Sequence, residues 1–419
     1  MYSEIFGILA LFLATAVIGP NAGWWALVGL TRLLFSARKD VAVESDVIQA
    51  RDVAVVVASF NEEKALPLCI SHALVLLPAN QVFIANDASS DQTANIALDA
   101  GCNLYTAPQN VGKARVLEAT IKHFQLLKRF RAILFLDADS QIDRHYLERA
   151  LPILSDPRNA VVAGHVESRA PKNGSAVAWM IHLYRSRLYY CVQLIFRYGQ
   201  TWAPFNASFI APGFASIYRS EVIEQINISA PGLIIEDFNM TFEVHRKSLG
   251  RVAYSPGVKC ATEDPVFLND YLKQIRRWNL GLWQTVKHNG IWPSRFWLFF
   301  LLLQAEMVFF SLAVLAIVAL AAMKLLFGIH FEGSFLTPFG PVFYSPYSLF
   351  AGLIISDVML SLIFAVLAQK WRTVPFAIIF PFLRVMDAYW MIASLFSSCY
   401  TRSDGRWNSP QRLLNGKTV

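Results

Sequence analysis

The chain carries its acidic residues in two short clusters, each at the exit of an apolar run. Asp137-Ala138-Asp139 follows Ile133-Leu134-Phe135-Leu136, and Glu236-Asp237 follows Gly232-Leu233-Ile234-Ile235. Two carboxylates on one side of a turn can share a divalent cation with a phosphorylated ligand. A carboxylate within reach of a hydroxyl can act as a general base, an effect worth roughly 10²–10⁴-fold in rate. Further on, Gln274-Ile275-Arg276-Arg277-Trp278 offers a guanidinium suited to bidentate binding of phosphate oxygens and a flat indole on which a sugar can stack. On a helix, Gln274, Arg277 and Trp278 fall at i, i+3 and i+4 and share one face. Taken singly, an Asp-x-Asp fits a solvated turn, Glu236-Asp237 a helix start, and the Arg-Trp pair an interfacial anchor.

The elements that must position these groups alternate in type. Val53–Ala58 is a continuous β-branched run. A helical stretch at Lys64–Leu77, a strand at Gln81–Ala85, a helix at Asp91–Ala100 and a strand near Cys102–Thr106 follow, and Ile133–Leu136 is a further buried strand. This alternation predicts a parallel sheet covered on both faces. Ligands of such sheets bind beyond the carboxyl ends of the strands. Ser59, Asn61, Glu62, Asp87, Asp137 and Asp139 all fall at or just past such ends.

Composition sets the wider frame. Of 419 residues, 55% are hydrophobic and only 16% charged, too apolar for an ordinary soluble enzyme. The apolar residues gather in blocks. Ile5–Phe35 reads as one long or bent membrane helix with Gly19-Pro20-Asn21 as its break, followed by Arg32, Arg38 and Lys39, which place the next segment in the cytoplasm. About Phe296–Phe327, Tyr347–Ala368 and Val374–Phe396 read as three further spans, the last carrying Pro375, Pro381, Arg384 and Asp387 and so re-entrant or broken. The expected divisions are 1–38 (anchor), 39–290 (cytosolic domain), 291–400 (C-terminal membrane region) and 401–419 (polar tail). The basic and acidic residues, 37 and 30, leave a charge of +7, gathered near the membrane-proximal ends. That placement suits lipid headgroups, and no aromatic-basic pattern for nucleic acid appears. Trp179–Gln200, with Tyr184, Arg185, Arg187, Tyr189, Tyr190 and Arg197, suits a membrane-interface helix, with a helix packed inside the domain as the alternative. Five scattered cysteines define neither a disulfide framework nor a zinc site, and His165, His182 and His245 lack metal-like spacing. Glu306 and Asp357 fall inside expected spans, where a carboxylate lines a passage or is capped within the bundle.

From Val53 to Trp283 the order of these motifs resembles the membrane-integrated family-2 glycosyltransferases, the processive cellulose, chitin and hyaluronan synthases. The resemblance implies an α/β fold: a cytosolic Rossmann-like GT-A nucleotide-sugar-binding domain inserted between transmembrane helices, with amphipathic interface helices. It implies an inverting reaction supported by Mg²⁺ or Mn²⁺. A nucleotide-sugar, a UDP-hexose or UDP-N-acetylhexosamine, would be the donor, and a growing glycan or lipid-linked molecule the acceptor. By resemblance Asp139 is the principal metal ligand with Asp137 beside the nucleotide, and Asp237, with Glu236, is catalytic. Ser59, Asn61, Glu62, Asp87, Lys113, Asp137, Gln274 and Arg277 bind the donor. Trp278, Gly213 and Phe214 hold the acceptor. The chain departs from the pattern at Asn86 and Ala88, at Pro212, and at Ile235, where the family has Thr. Four spans make a small channel, which oligomerisation or a lipid-bound product would relieve. A polyprenyl-phosphate glycosyltransferase and a non-catalytic nucleotide-sugar-binding scaffold are the alternatives.

Overall fold

A computed structural model describes residues 19–36, 47–171, 174–329, 333–337, 340–401, 403, 405, 413–414 and 417–418. Its centre is an eight-stranded sheet: β1 (Val53–Ser59), β2 (Val82–Asn86), β3 (Asn103–Thr106), β4 (Ala132–Asp137), β5 (Gln141–Ile142), β6 (Asn159–Arg169), β7 (Ser216–Arg219) and β8 (Arg251–Glu263), in the order β3-β2-β1-β4-β7-β6-β8-β5. The first four strands run parallel, as their helical crossovers require. β7 pairs antiparallel with both β4 and β6, and β5 pairs antiparallel with β8, so the sheet is mixed rather than wholly parallel.

The β-branched run of β1 is buried from end to end because both its faces are covered. Val53, Val55 and Val57 enter one apolar cluster with Leu134, Leu136 and Tyr146, while Ala54, Val56 and Ala58 enter another with Phe83, Phe135 and Val116. The two-residue period of the strand thus divides one sequence run between two cores. Registers Ser59↔Asn86 and Ala58↔Asp137 bring the polar ends of β1, β2 and β4 to one edge. The pairing of β6 with β8 is irregular, with register shifts at Asn159/Val161 and Ala163/His165.

The aromatic-basic stretch is helical, as expected. It folds as the helix Ala176–Cys191, continues as a π-helical stretch Val192–Arg197, and closes with Tyr198–Gln200. Arg185, Arg187 and Arg197 are buried inside the protein, because carboxylates and carbonyls distant in sequence receive the first two and a cavity the third. The same helix packs on the C-terminal helices through Arg187–Asp357 and Tyr184–Phe380.

Among the described residues, two helices, Arg295–Phe327 and Pro346–Ala368, are long and apolar enough to cross a membrane. At 1.5 Å per residue they reach roughly 50 and 35 Å, against a hydrocarbon core of about 30 Å. The third block begins as a tight turn, Trp371–Phe376, and becomes helical only at Phe380–Ser397, in keeping with its prolines. Asp357 is capped: Arg187 Nη2 and Arg384 Nε stand 2.8 and 2.9 Å from its carboxylate. Glu306 accepts hydrogen bonds from the backbone and side-chain amides of Asn21 at 2.9 and 2.6 Å. Both carboxylates thus have partners on neighbouring helices. At the other end, the helix Pro20–Ser36 starts directly after Gly19, as the Gly-Pro-Asn break predicts. It buries Ala22, Trp25 and Val28 and leaves Leu27, Leu30 and Leu34 outside. The rest of the expected N-terminal span, together with Arg38 and Lys39, lies outside the described residues.

Candidate active site

The acidic clusters meet at Lys113. This lysine opens the helix Lys113–His123, preceded by Gly112 at φ +94°, a conformation that favours glycine. Asp87 sets that entry: its two oxygens accept the backbone N–H groups of Val111 (2.7 Å) and Gly112 (2.8 Å). Lys113 Nζ lies 2.7 Å from Asp137 Oδ1 and 2.8 Å from Glu236 Oε1, joining the end of β4 to the start of the helix Glu236–Arg246. Burial pulls the ammonium toward neutrality, but the two carboxylates outweigh it and raise the lysine pKa. Burial alone would also raise Glu236; Lys113 reverses this and holds it below the usual carboxylate range.

Asp237 is different. Burial first, and Glu236 second, push its carboxyl up to about 6. Lys113 and the N–H groups of Gly213 (3.1 Å) and Phe238 (2.8 Å) restrain the rise. Adjacent carboxylates are thereby separated in acidity, an arrangement characteristic of acid–base sites. The loop bearing Gly213 is anchored one turn along, where Ala211 N–H donates to Thr241 Oγ1 (2.9 Å).

The helix Leu268–Asn289 brings the third motif in. It approaches closely at Gly281, where an added Cβ would stand 2.9 Å from the Ile235 side chain. The residue that departs from the family's Thr therefore forms the packing seat of this helix. Gln274, Arg277 and Trp278 then line the same cavity, of about 460 Å³, as Glu62, Lys113, Asp137, Asp139, Phe214, Glu236 and Asp237. Asp139, Asp237 and Arg277, from three elements, share one space.

Several expected residues sit elsewhere. Ser59 is fully buried, with Oγ donating to the Ala85 carbonyl at 3.4 Å. Asn61 stands at the rim, its Oδ1 accepting from Ser90 N–H at 2.8 Å. Asp87 is also fully buried, and its oxygens serve the Asn110–Lys113 turn. Asp87 thereby shapes the loop that presents Lys113. Gly213 N–H donates to Asp237 Oδ2 at 3.1 Å.

Sequence reasoning missed a buried polar group around Arg185. Its guanidinium lies 2.8 Å from Asp264, donates to Gln274 Oε1 and the Tyr189 hydroxyl, and stacks 4.8 Å over the Trp278 ring. Ser168 and His182 hold the other oxygen of Asp264. Gln274 and one face of Trp278 are thus occupied by protein, and the cavity receives what remains. The available signal was the run of arginines on an otherwise apolar helix, with Asp264 ten residues before Gln274.

The histidines are structural: His165 bonds the Tyr254 hydroxyl at 2.6 Å, and His245 bonds the Ser208 carbonyl at 2.8 Å. Among the described residues no group of three or more His, Cys, Asp or Glu is placed to hold a metal. Asp137 and Asp139 supply carboxylates to one cavity, which fits a Mg²⁺ or Mn²⁺ that completes its shell with substrate phosphate and water.

Residues 54–226 match the family model described as Glycosyl transferase family 2, and the chain carries a domain of that family. Among curated proteins it is similar to the poly-beta-1,6-N-acetyl-D-glucosamine synthase of Staphylococcus epidermidis, 23% identical over 265 residues, covering 61% of this chain and 60% of that protein. It is similar also to the hyaluronan synthase of Streptococcus pyogenes, 27% identical over 256 residues, 54% of this chain and 56% of that one. The chain thus spans somewhat over half the length of these relatives. Among solved structures, the fold is that of the mannosyltransferase PcManGT from Pyrobaculum calidifontis, determined with GDP-Man and Mn²⁺: TM-score 0.59, 18% identity, 94% of this chain and 99% of the other. The architecture is a mixed α/β, GT-A-like fold.

Proposed function

We propose that the chain is an inverting, metal-dependent membrane glycosyltransferase that extends a glycan or a lipid-linked acceptor from a UDP-hexose or UDP-N-acetylhexosamine, working processively as a polysaccharide synthase. The observation that carries this reading is the common cavity of Asp139, Asp237 and Arg277. The family-2 domain and the synthase relatives agree with it.

In this reading Arg277 and Lys113 face the diphosphate, and Asp137 and Asp139 would hold the Mg²⁺ or Mn²⁺. When bound, the cation supplies charge stabilisation to the departing diphosphate. Asp237 accepts the proton of the acceptor hydroxyl as that oxygen forms its bond to the anomeric carbon and the nucleoside diphosphate leaves from the opposite face. One displacement inverts the centre and needs no enzymic nucleophile. A base with a pKa near 6 is ionised at neutral pH yet more basic than an ordinary aspartate. Glu62 borders the donor side, and Trp278, Phe214 and Gly213 bound the acceptor side. The catalytic domain, 39–290, faces the cytoplasm, with an anchor before it and the helices of 291–400 in the cell membrane, self-association enlarging their small channel.

The test is UDP release from purified protein incubated with a panel of UDP-sugars and Mg²⁺ or Mn²⁺, with product sizing. Asp237→Asn should lower turnover by at least about 10²-fold while UDP affinity stays within about twofold. Full turnover in that variant would remove Asp237 from the role of base. A single organic-extractable sugar lipid as the product would replace the polymer reading by transfer to a lipid phosphate.

A further inference from the structure

The buried polar set around Arg185 joins four stretches of chain. His182, Arg185 and Tyr189 share one face of the helix Ala176–Cys191, Ser168 lies on β6, Asp264 follows β8 by one residue, and Gln274 and Trp278 stand on the helix Leu268–Asn289. The Arg185 and Asp264 side chains are 3% and 4% exposed, with Nε and Oδ1 2.8 Å apart. Ser168 Oγ donates to Asp264 Oδ2, and His182 Nδ1 stands 3.1 Å from the same oxygen. Both ends of the pair are therefore enclosed by protein.

Such a pair returns little net stability. Taking two ions out of water offsets their attraction, and apolar residues of similar volume commonly serve as well. What an apolar pair cannot do is hold a plane. Nε of Arg185 faces Asp264, Nη1 donates to Gln274 Oε1, and Nη2 donates to the Tyr189 hydroxyl. Three directions fix a planar guanidinium, whose carbon then lies 4.8 Å over the Trp278 ring. Trp278 needs such a stop, because it is only partly buried at the margin of the cluster around Ile235 and Phe238. Arg185, Tyr189, Asp264, Gln274 and Trp278 all border the cavity that contains Asp237.

We propose that Arg185, oriented by Asp264, is a positioning residue that fixes the angle of the Trp278 ring and leaves the indole one open face for the acceptor sugar. The inference rests on the glycosyltransferase reading and adds to it the group that sets the acceptor's approach to Asp237. The attacking hydroxyl must meet the base and the anomeric carbon together. A tilt of the ring beneath the sugar moves that hydroxyl, and a misplacement of about 1 Å costs up to about 10²-fold in rate. With a cation covering its other face, the ring receives a sugar from the cavity side only.

The experiment uses the full chain in nanodiscs with Mg²⁺. The probes are UDP-N-acetylglucosamine with chitotetraose and UDP-glucose with cellotetraose. Because Arg185→Met alone strands the Asp264 charge, Arg185→Met combined with Asp264→Leu is made beside it, and the double variant should melt as the wild type does. In both, kcat/KM for the tetrasaccharide should fall by about ten- to hundredfold. UDP affinity should stay within about twofold, since Arg277 is untouched. Arg185→Lys, which keeps the charge but not the fork, should fall between. Fluorotryptophan labelling reads the ring directly, with the Trp278 resonance assigned by its loss in Trp278→Phe. That resonance should shift or broaden in the double variant. The inference is overturned if the resonance stays in place, if the double variant recovers kcat/KM for the tetrasaccharide together with stability, or if UDP affinity falls as far as acceptor use does. A wild type that elongates neither tetrasaccharide would refute the transferase reading for these sugars instead, and the fluorine resonance would still decide whether Arg185 sets the ring.

Discussion

Replacing Lys113 with methionine removes a cation that pairs with both acidic clusters while keeping most of the side chain's volume. At 2.7 and 2.8 Å, each of its pairings is worth roughly 6 kcal/mol of Coulomb energy at an effective dielectric constant of about 20. Desolvation of the ammonium and the carboxylates offsets much of that, and breaking a buried pair by deleting one member costs about 3–5 kcal/mol. The loss should depend on pH, and its sign follows from the three carboxylates. In the wild type Glu236 has a lowered pKa, so its stabilisation is present above the unfolded value and disappears only as pH falls through the folded one. Without Lys113, burial and mutual repulsion dominate, and Glu236, Asp137 and Asp237 all move up. The variant should therefore be about 3–5 kcal/mol less stable than wild type at pH 7.5. The gap should narrow toward pH 4, where its crowded carboxylates take up protons. Denaturant melts of both proteins in the same micelles at pH 4, 5, 6 and 7.5 measure this. A gap that is constant with pH, or that widens in acid, would refute the electrostatic account of Lys113.

Other consequences are equally direct. Because the Asp237 carboxyl is raised to about 6, kcat/KM should climb as pH rises through that value and level off above it; a profile flat between pH 5 and 7.5 would contradict the assignment of the base. Gly213→Ala would place a Cβ 3.0 Å from Glu236 Oε1 and 3.2 Å from Asp237 Cβ. Overpacking of that kind costs about 1–3 kcal/mol and should lower kcat more than tenfold with UDP affinity preserved, read by unfolding and by steady-state kinetics. Asp357→Leu would leave Arg187 and Arg384 facing each other without their carboxylate. Thermal melts should report about 3–5 kcal/mol of lost stability, whereas Asp357→Leu combined with Arg187→Met should recover part of it.

The parts of this molecule that depend on local pattern were legible. β1 and β4 lie within a residue or two of their expected ends, since an apolar β-branched run between polar turns has few other ways to fold. The gathering of Asp139, Asp237 and Arg277 followed from motif order and from the rule that such sheets bind ligands at strand ends. Strand direction was not legible: β7 is four buried residues, and a run that short looks alike whichever way it is laid down. Nor was the fate of the arginines. Arg187 meets Asp357 across 170 positions of sequence, and Arg185 meets Asp264 across nearly eighty, so each looked like a surface cation until its partner was in place. The loop contacts of Asp87 were hidden for a related reason: a carboxylate at a strand end serves a neighbouring loop only once the directions of the Val111 and Gly112 N–H groups are known.

The contact between the helix Pro20–Ser36 and the turn after Arg197 bears on how this enzyme can be handled. Gly199 lies so near Trp25 that a methyl group there would stand 2.6 Å from the tryptophan carbonyl, and Arg32 donates to the Tyr198 carbonyl at 2.6 Å. The turn that follows the cavity-lining Arg197 is thus braced by a segment that a designer seeking a shorter fragment would cut away first. Such a shortened protein would lose the contacts that hold the turn after Arg197, and binding measured on it would not report on the full chain.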